Sequence, residues 1–431
     1  MKIKIKKGLK RYDRYLKQLC ARPIGDCSPV AVKAALCAVT PDDFTGIKPK
    51  LDVREGDVVA VGAPLFHDKT RTDIIVASPV SGVVKSIVRG ERRHIERIVI
   101  EPADAKPTVL PADDATLPLS TRLAHSGLLA MVRQRPFDVV PDPAVRPRDI
   151  FVTAFDTAPL APCLSRYITD KSLLDKGVEV LRQLTDGKVY ISYDRSYTHG
   201  DVKGATMVEV EGCHPAGNAG VQAANIAPVN KGETIWTLDI VTLAKIGRYF
   251  TDGVYDATTL VWLVGPEVCE PAVIATTQGA DIASVVTPRL VKADHHQRII
   301  SGNVFTGTAV AADDFLRAPY RQVTVIAEGD DVVEFMGWAP WLPIRGGVDA
   351  RLHGGRRAMI FSGEYDKTFP FDILPEYLLK AIISRNFEEM ERLGIYEVAP
   401  EDFAVCEYAD TSKLPLQQIV RDGLDFMIEN S

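Results

Sequence analysis

The sequence predicts a multidomain α/β protein with an all-β unit, a parallel α/β sheet, a smaller strand-rich unit and a helical C-terminal region. Short β-branched runs broken by Gly, Pro and Asp fill residues 50–90. Strand and amphipathic-helix patterns alternate from residue 149, and helical patterns dominate from about residue 370. A chain of 431 residues has room for two to four domains. We predict domains at 1–103, 104–257, 258–311 and 312–431.

Composition places the chain among ordinary globular proteins, with 46% apolar and 25% charged residues. Its formal net charge of −6 argues against nucleic-acid binding. Apolar runs such as "TTLVWLV" are far shorter than the ~18 residues of a membrane-spanning helix, and we expect no signal peptide. The seven cysteines are scattered and odd in number, which favours reduced cytosolic thiols over a disulfide framework.

The N-terminus is strongly basic, with eight Lys or Arg in its first 17 residues. The alternation in "KIKIK" predicts a strand with one buried face, at the edge of a sheet. The alternative is a cationic arm that contacts an anionic membrane surface or an acidic partner.

The all-β unit around Lys50–Gly90 resembles the barrel-sandwich hybrid of biotinyl and lipoyl carriers. The turns "REGD" and "PVSG" predict positive φ at Gly56 and Gly82, because glycine tolerates that conformation. A carrier needs a lysine at an exposed hairpin tip, and Lys69 is the best candidate. Its neighbours match neither attachment sequence, so we interpret the domain as a scaffold. A carrier component of a carboxylase or acyltransferase remains an alternative.

A linker is predicted at 104–118, which is rich in Pro, Ala and Asp. A helix should follow, with Ser120 as its N-cap and Leu123 and Leu128 on its buried face. The proline at Pro136 should end that helix.

The middle of the chain predicts a Rossmann-like sheet, because the strand "DIFVTAFDT", the helix "LLDKGVEVLRQLT" and the strand "GKVYISYD" follow one another. It contains no G-x-G-x-x-G, Walker A or H-E-x-x-H motif. The Gly-rich loop Gly212–Gly220 has a different spacing, so we do not expect direct NADH binding. A standalone dinucleotide-dependent oxidoreductase remains an alternative.

A small β-grasp is predicted at 258–311, where apolar strands flank a polar excursion and Gly302 and Gly307 close turns. The later stretches "FDILPEYLLKAIISRN", "FEEMERLGIY" and "PLQQIVRDGLDFMIE" predict the C-terminal helices.

Several motifs together resemble one family. They include "IKKGL", "SPVSGVV", "RPF", "FVTAFDTAPLAP", "HPAGNAG", "RIISGNVFTG", "GW" at Gly337–Trp338 and "FDILPEYLLKA". Their order and spacing resemble the A subunit of the sodium-translocating NADH:quinone reductases over essentially the whole chain. In this family the β-grasp is of the SLBB-like type. The C subunit of the ferredoxin:NAD reductase complex is similar at greater distance.

The resemblance implies a peripheral subunit on the cytoplasmic side of the cell membrane, within a six-subunit complex that oxidises NADH, reduces quinone and exports Na⁺. It implies that NADH, flavins and 2Fe–2S centres bind to other subunits, that this chain carries no cofactor and no catalytic residue, and that the isolated chain is inactive. Its partners would be the other subunits, especially a membrane subunit, with quinone as the substrate of the complex.

The cysteines agree with a chain that lacks an iron–sulfur cluster or other metal site. Related cluster-binding subunits use C-x-x-C-x-x-C runs, and none occurs here. Near Cys406, the residue at the position of a further cysteine in those relatives is Asp410. That aspartate removes a possible thiolate ligand.

Two segments match the chemistry of a quinone site, which needs a concave apolar surface and one or two hydrogen-bond donors. The first contains Phe44 and Gly46, and the second contains Arg135, Pro136 and Phe137. The resemblance also implies that these segments are candidate quinone-facing loops. The alternative is that both are ordinary packed loops.

The loop with His214, Pro215 and Gly217 is interpreted as structural. The pair Cys213–His214 could be a fragment of a metal or nucleophile site. Such a site needs further ligands, and the other histidines lack a suitable spacing.

Overall fold

The computed structural model describes residues 1–9, 14–20, 24, 28–103, 116–330, 348–352 and 354–430. Most of the predicted linker and the motif Gly337–Trp338 lie outside these residues. The β-strands in the described ranges are β1 (Lys2–Lys4), β2 (Val30–Ala31), β3 (Cys37–Val39), β4 (Pro49–Leu51), β5 (Val58–Val59), β6 (Pro64–Asp68), β7 (Ile75–Ala77), β8 (Gly82–Arg89), β9 (Ile95–Pro102), β10 (Arg133–Arg135), β11 (Asp149–Thr153), β12 (Val189–Tyr193), β13 (Thr206–Glu211), β14 (Ile235–Asp239), β15 (Thr258–Val264), β16 (Ala272–Thr277), β17 (Gln297–Ser301), β18 (Thr308–Val310) and β19 (Gln322–Ala327).

The α-helices in the same ranges are α1 (Arg14–Leu19), α2 (Leu119–His125), α3 (Lys171–Leu184), α4 (Ala219–Ile226), α5 (Ile240–Asp252), α6 (Ile282–Val286), α7 (Tyr365–Thr368), α8 (Pro375–Ile383), α9 (Phe387–Arg392), α10 (Ala404–Ala409) and α11 (Leu416–Asn430). Among the residues that the structure describes, no helix combines the length and the apolar composition needed to cross a membrane.

The first domain is the predicted barrel-sandwich. One antiparallel sheet has the order β3-β9-β8-β5 and the other has the order β4-β6-β7. Leu65, Phe66, Ile74 and Ile98 are fully buried in its core. The period-2 apolar pattern therefore forms two sheets with a shared interior.

One of the two turn glycines behaves differently from the prediction. Gly56 has a φ of 89°, as predicted. Gly82 lies inside β8 without a positive φ, and a Cβ there would be 2.2 Å from the carbonyl oxygen of Glu101 on β9. The prediction for Gly82 was wrong: glycine is needed there because another strand approaches closely.

The second domain has the predicted Rossmann-like sheet. Its order is β1-β13-β12-β11-β14-β10, with every pair parallel except the antiparallel edge strand β10. Ile150, Val152 and Trp236 pack in one cluster with α3 and α5, while Phe151 and Ile235 pack with α4. Helices therefore cover both faces, which is the arrangement that parallel sheets require.

The N-terminus forms the predicted edge strand. β1 pairs in parallel with β13, and the ammonium of Lys2 lies 3.0 Å from Glu209 and 2.6 Å from Glu211. Part of the basic charge is therefore balanced within the sheet.

The predicted helix after the linker is shorter than expected. α2 follows Pro118, so Ser120 is not its N-cap. Gly127 has a φ of 75°, and a Cβ there would lie 2.8 Å from Cβ of Ala77. The chain turns here against the first domain, and "RQR" then pairs with β14 as β10. Strand pairing has overridden the helical pattern.

The third domain is a β-grasp with the sheet order β18-β17-β19-β15-β16-β2. Its helix α6 packs on the sheet through Ile282, Val285 and Val286. Two strands come from outside the predicted range 258–311: β19 follows it, and β2 comes from the N-terminal part. Gly302 has a φ of 112°, as a turn requires.

The C-terminal region is helical, as predicted, from α7 to α11. Leu378, Met390 and Phe403 are fully buried among these helices. The same cluster includes Phe155 and Val210 of the second domain. The C-terminal helices are thus packed directly on the α/β sheet.

Candidate functional site

Phe44 lies at a cleft between three domains. A 3₁₀ turn at Pro41–Asp43 leads into it, and its ring meets Phe66 edge-on with centroids 6.2 Å apart. Phe44 is buried, yet it lines an open cleft whose empty volume is about 410 Å³, including space open to solvent.

The cleft has mainly apolar walls with a few polar groups. Each of the first three domains contributes to it. The first provides Val39, Thr40, Asp43, Phe44 and Val76, the second Met131 and Tyr255, and the third Gln278 and Leu316. A smaller cleft of about 290 Å³ adjoins it and shares Gln278 and Leu316. Concave apolar sites with few polar groups at domain junctions are typical of ligand sites.

Asp43 ties the three domains together at the cleft. Its carboxylate accepts hydrogen bonds from Nε of Arg317 at 2.7 Å and from the backbone N–H of Ala318 at 2.9 Å. The backbone carbonyl oxygen of Asp43 accepts a hydrogen bond from the guanidinium of Arg133 at 2.7 Å. Burial raises the pKa of the Asp43 carboxyl, and Arg317 opposes that shift. Sequence reasoning missed this role, because no local pattern pairs Asp43 with Arg317.

The second predicted segment forms a tight turn. Gln134 and Val139 exchange backbone hydrogen bonds of 2.7 and 3.3 Å. Between them Phe137 and Asp138 have φ values of 82° and 53°, in the left-handed region that non-glycine residues rarely adopt. Pro136 is buried, and the ring of Phe137 meets Tyr396 edge-on at 5.9 Å.

The guanidinium of Arg135 is buried against the C-terminal region. It donates to Asp402 Oδ2 at 2.6 Å, to Glu401 Oε1 at 3.2 Å and to the carbonyl oxygen of Glu397 at 2.8 Å. Burial by itself would lower the pKa of Arg135, but the two carboxylates raise it above its ordinary value. Arg135 therefore carries its charge and is held by protein partners.

The structure brings the two predicted segments side by side. The backbone N–H of Val140 donates to the carbonyl oxygen of Thr45 at 2.9 Å. Gly46 has a φ of 87°, and a Cβ there would be 2.8 Å from Cβ of Val139. Phe44 faces the cleft, however, whereas the described residues lining the cleft do not include Arg135 or Phe137.

His214 lies in a turn between the second and third domains. Its ring stacks on Phe305 with centroids 5.3 Å apart, and Nδ1 is 3.3 Å from Oγ1 of Thr157. Burial lowers the pKa of His214 to about 4, so the imidazole is neutral at pH 7. Gly217 donates its backbone N–H to the same hydroxyl of Thr157 at 2.9 Å.

Other candidate ligands are also engaged in packing. The thiol of Cys406 contacts Oγ1 of Thr368 at 3.3 Å, and burial raises the pKa of that thiol to about 12. Asp410 accepts backbone hydrogen bonds from Ser412 and Leu414. Within the described ranges, no group of three or more His, Cys, Asp or Glu side chains is arranged to hold a metal ion.

The carboxyl edge of the parallel sheet, where ligands bind in open α/β folds, is covered by the third domain. Asp239 ends β14 and caps α5 by accepting from the backbone N–H of Thr242 at 2.7 Å. The same carboxylate pairs with Arg321, next to β19. A carboxylate and an arginine thus occupy the carboxyl end of β14, at the edge where ligands bind in open α/β folds.

Comparison with known proteins matches the chain domain by domain. Residues 3–103 match the NqrA N-terminal barrel-sandwich hybrid domain, residues 116–255 the NqrA second alpha/beta domain, and residues 260–312 the NQRA C-terminal domain.

Full-length relatives agree with these domain matches. The A subunit of the Na(+)-translocating NADH-quinone reductase from Serratia proteamaculans is 33% identical over 98% of both chains. The corresponding A subunit from Rhodopirellula baltica is 34% identical over 90% of this chain and 91% of its own. The chain therefore belongs to the family formed by the A subunits of Na(+)-translocating NADH-quinone reductases.

Proposed function

We propose that this chain takes part in quinone binding within a Na⁺-translocating NADH:quinone reductase, with the quinone ring in the cleft beside Phe44. The observation that carries the proposal is this cleft of about 410 Å³ at the junction of three domains. Small-molecule sites occur preferentially at such junctions between domains.

The cleft lining suits the chemistry of a quinone, which has a flat apolar ring and two carbonyl acceptors. Phe44, Met131 and Tyr255 provide apolar surface for the ring. The hydroxyl of Thr40 and the amide of Gln278 can donate hydrogen bonds to the carbonyl oxygens.

Gly46 of the first segment, together with the second segment of Arg135, Pro136 and Phe137, is proposed as a further quinone-facing element. It is supported by the contact between Val139 and Gly46 next to the cleft. The charge of Arg135 is engaged by Asp402. We therefore assign Arg135 and Pro136 to holding the turn, and Phe137 to the apolar contact.

The proposal also places the chain within the complex. We propose that it lies on the cytoplasmic face as one of six subunits and contacts a membrane subunit, while NADH, flavins and 2Fe–2S centres bind elsewhere. The absence of a dinucleotide motif in the sequence supports this division. The isolated chain should not oxidise NADH, and stoichiometric flavin absorption in it would contradict the division.

Kinetics of the assembled complex test the quinone site. Phe44→Leu should raise the quinone KM by about two- to tenfold, because an aromatic contact is worth about 0.5–1.5 kcal/mol. Phe66→Leu is the matched control, since Phe66 packs on Phe44 but does not line the cleft. Phe137→Leu tests the second segment in the same assay.

A photoreactive quinone provides an independent readout. Cross-linking to the assembled complex, followed by peptide mapping, should label residues 38–46 or 127–137 of this chain. An unchanged KM for Phe44→Leu together with labels confined to other subunits would remove this chain from the quinone site.

A further inference from the structure

The C-terminal region exposes a group of large apolar side chains. Ile360 is 60% exposed, Phe361 52%, Leu374 53% and Tyr377 55%. We call these four residues and Lys380 the Phe361 surface. Large apolar side chains grouped at the surface, unlike single ones, mark interaction sites.

The Phe361 surface is held in place. The rings of Phe361 and Tyr377 lie 5.1 Å apart, and the ammonium of Lys380 is 3.3 Å from the Phe361 ring centroid. The buried carboxylate of Glu376 accepts hydrogen bonds from the backbone N–H groups of Ser362 and Gly363, at 3.2 and 3.0 Å. These bonds fix the backbone just after Phe361, and the ring and ammonium contacts restrict the side chains, so less conformational entropy is lost on binding.

Other aromatic rings of the same region are buried. Tyr365, Phe369 and Phe371 are nearly fully buried in the adjacent helical core. Phe361, in the segment that precedes α7, and Tyr377, on α8, instead remain outside that core.

The charge around the Phe361 surface is basic, although the chain as a whole has a net charge of −6. The charged residues in 354–385 are the bases Arg356, Arg357, Lys367, Lys380 and Arg385 and the acids Glu364, Asp366, Asp372 and Glu376. Of the acids, Glu376 is buried and Glu364 pairs with Lys367. The net charge of the groups in this stretch that are not buried is therefore positive, and it complements an acidic partner.

We propose that the Phe361 surface is the docking site for another subunit of the complex, through a segment of that subunit with apolar and acidic side chains. The inference rests on membership of this family and is independent of the quinone site. Phe361 and Tyr377 provide the apolar centre, since buried aromatic residues carry most of the binding energy in such interfaces. Lys380 orients the acidic segment.

The test measures binding of the purified chain to the complex that lacks it. Phe361→Ser with Tyr377→Ser should weaken the Kd by about tenfold or more. Lys380→Glu should weaken it as well, most strongly at low salt. The matched controls are Val58→Ser with Val254→Ser and, separately, Lys85→Glu. They remove exposed apolar side chains and reverse an exposed charge elsewhere, and should leave the Kd unchanged.

Thermal unfolding of each variant checks that it is folded, as expected for exposed positions. An unchanged Kd for folded Phe361→Ser/Tyr377→Ser would overturn the proposal. Two other results would also overturn it. One is that these changes abolish binding to phosphatidylglycerol vesicles while leaving binding to the complex intact. The other is that they abolish self-association of the chain in sedimentation velocity, again with binding to the complex intact.

Discussion

His214 illustrates how burial sets the chemistry of a single side chain. The ring is enclosed between Thr157 and Phe305, and burial lowers the pKa of His214 to about 4. In the unfolded chain the pKa returns to about 6.5. Above pH 6.5 the imidazole is neutral in both states. Between pH 6.5 and 4 the unfolded chain binds a proton that the folded chain does not.

Acidification should therefore destabilise the protein in this window. We expect His214 to reduce the free energy of unfolding by about 3 kcal/mol as the pH falls from 6.5 to 4, and the loss should level off below pH 4. His214→Asn should flatten the pH dependence in this window, as measured by urea unfolding at a series of pH values. His125→Asn, at an exposed position, is the control. Equal slopes for His214→Asn and the parent protein would contradict the assignment.

Glycines show what residue-level reasoning can and cannot predict. The turn sequence "REGD" was sufficient to predict the positive φ of Gly56. The role of Gly82 depends on the carbonyl of Glu101 on a neighbouring strand. No local pattern could report that contact, because it forms only when the two strands pair.

At the scale of elements, two glycines set how closely α3 and α5 approach each other. A Cβ on Gly177 would lie 2.5 Å from the carbonyl oxygen of Leu243, and one on Gly247 would lie 1.9 Å from that of Leu173. Both distances are too short for any side chain. The helix backbones therefore touch directly, which holds α5 against the sheet beside the third domain.

Gly247→Ala should destabilise the protein although alanine is the better helix former. The propensity gain is about 1 kcal/mol, whereas forcing extra atoms into a packed site costs about 1–3 kcal/mol and more when backbone must move. We expect a lower midpoint in calorimetric thermal unfolding. Gly355→Ala, where a Cβ would meet nothing within 4 Å, should leave the midpoint unchanged. A higher midpoint for Gly247→Ala would show that the helices can separate without cost.

Element prediction succeeded where the pattern was long and regular. The alternation of strands and the helix α3 followed from apolar spacing alone. The prediction of a helix after the linker was wrong for the C-terminal half of that segment, because Arg133–Arg135 pairs with β14. Tertiary pairing of a short segment can override a local helical pattern.

At the scale of the molecule, Asp43 joins the first three domains around the cleft. Its partners are Arg317 and Ala318 of the third domain and Arg133 of the second. Removing the carboxylate should loosen this junction. The fold should survive the change, since the first two domains also share an apolar cluster that includes Phe44 and Trp236.

Asp43→Ala should speed hydrogen exchange of the Ala318 amide and of residues 38–44 by about tenfold or more, since a lost hydrogen bond to a charged group costs about 1.5–3 kcal/mol. Amides of α3 should be unaffected. Asp186→Ala removes an exposed ion pair with Arg146 and is the control. If the exchange of Ala318 stayed at its original rate, Asp43 would not hold the domains together.

The sequence by itself determined the order of domains, the parallel α/β sheet, the β-grasp and the helical C-terminus, because these depend on apolar periodicity and turn residues close together in the chain. It also singled out the segments that contain Phe44 and Arg135. The tertiary structure then brings these two segments side by side. Only the tertiary structure decided that β1 and β2 leave the first domain to pair in the second and third, that Phe44 lines a cleft, and that the charged Arg135 pairs with Asp402. Those outcomes depend on contacts between residues distant in sequence. Their energies arise only when separate elements pack against each other.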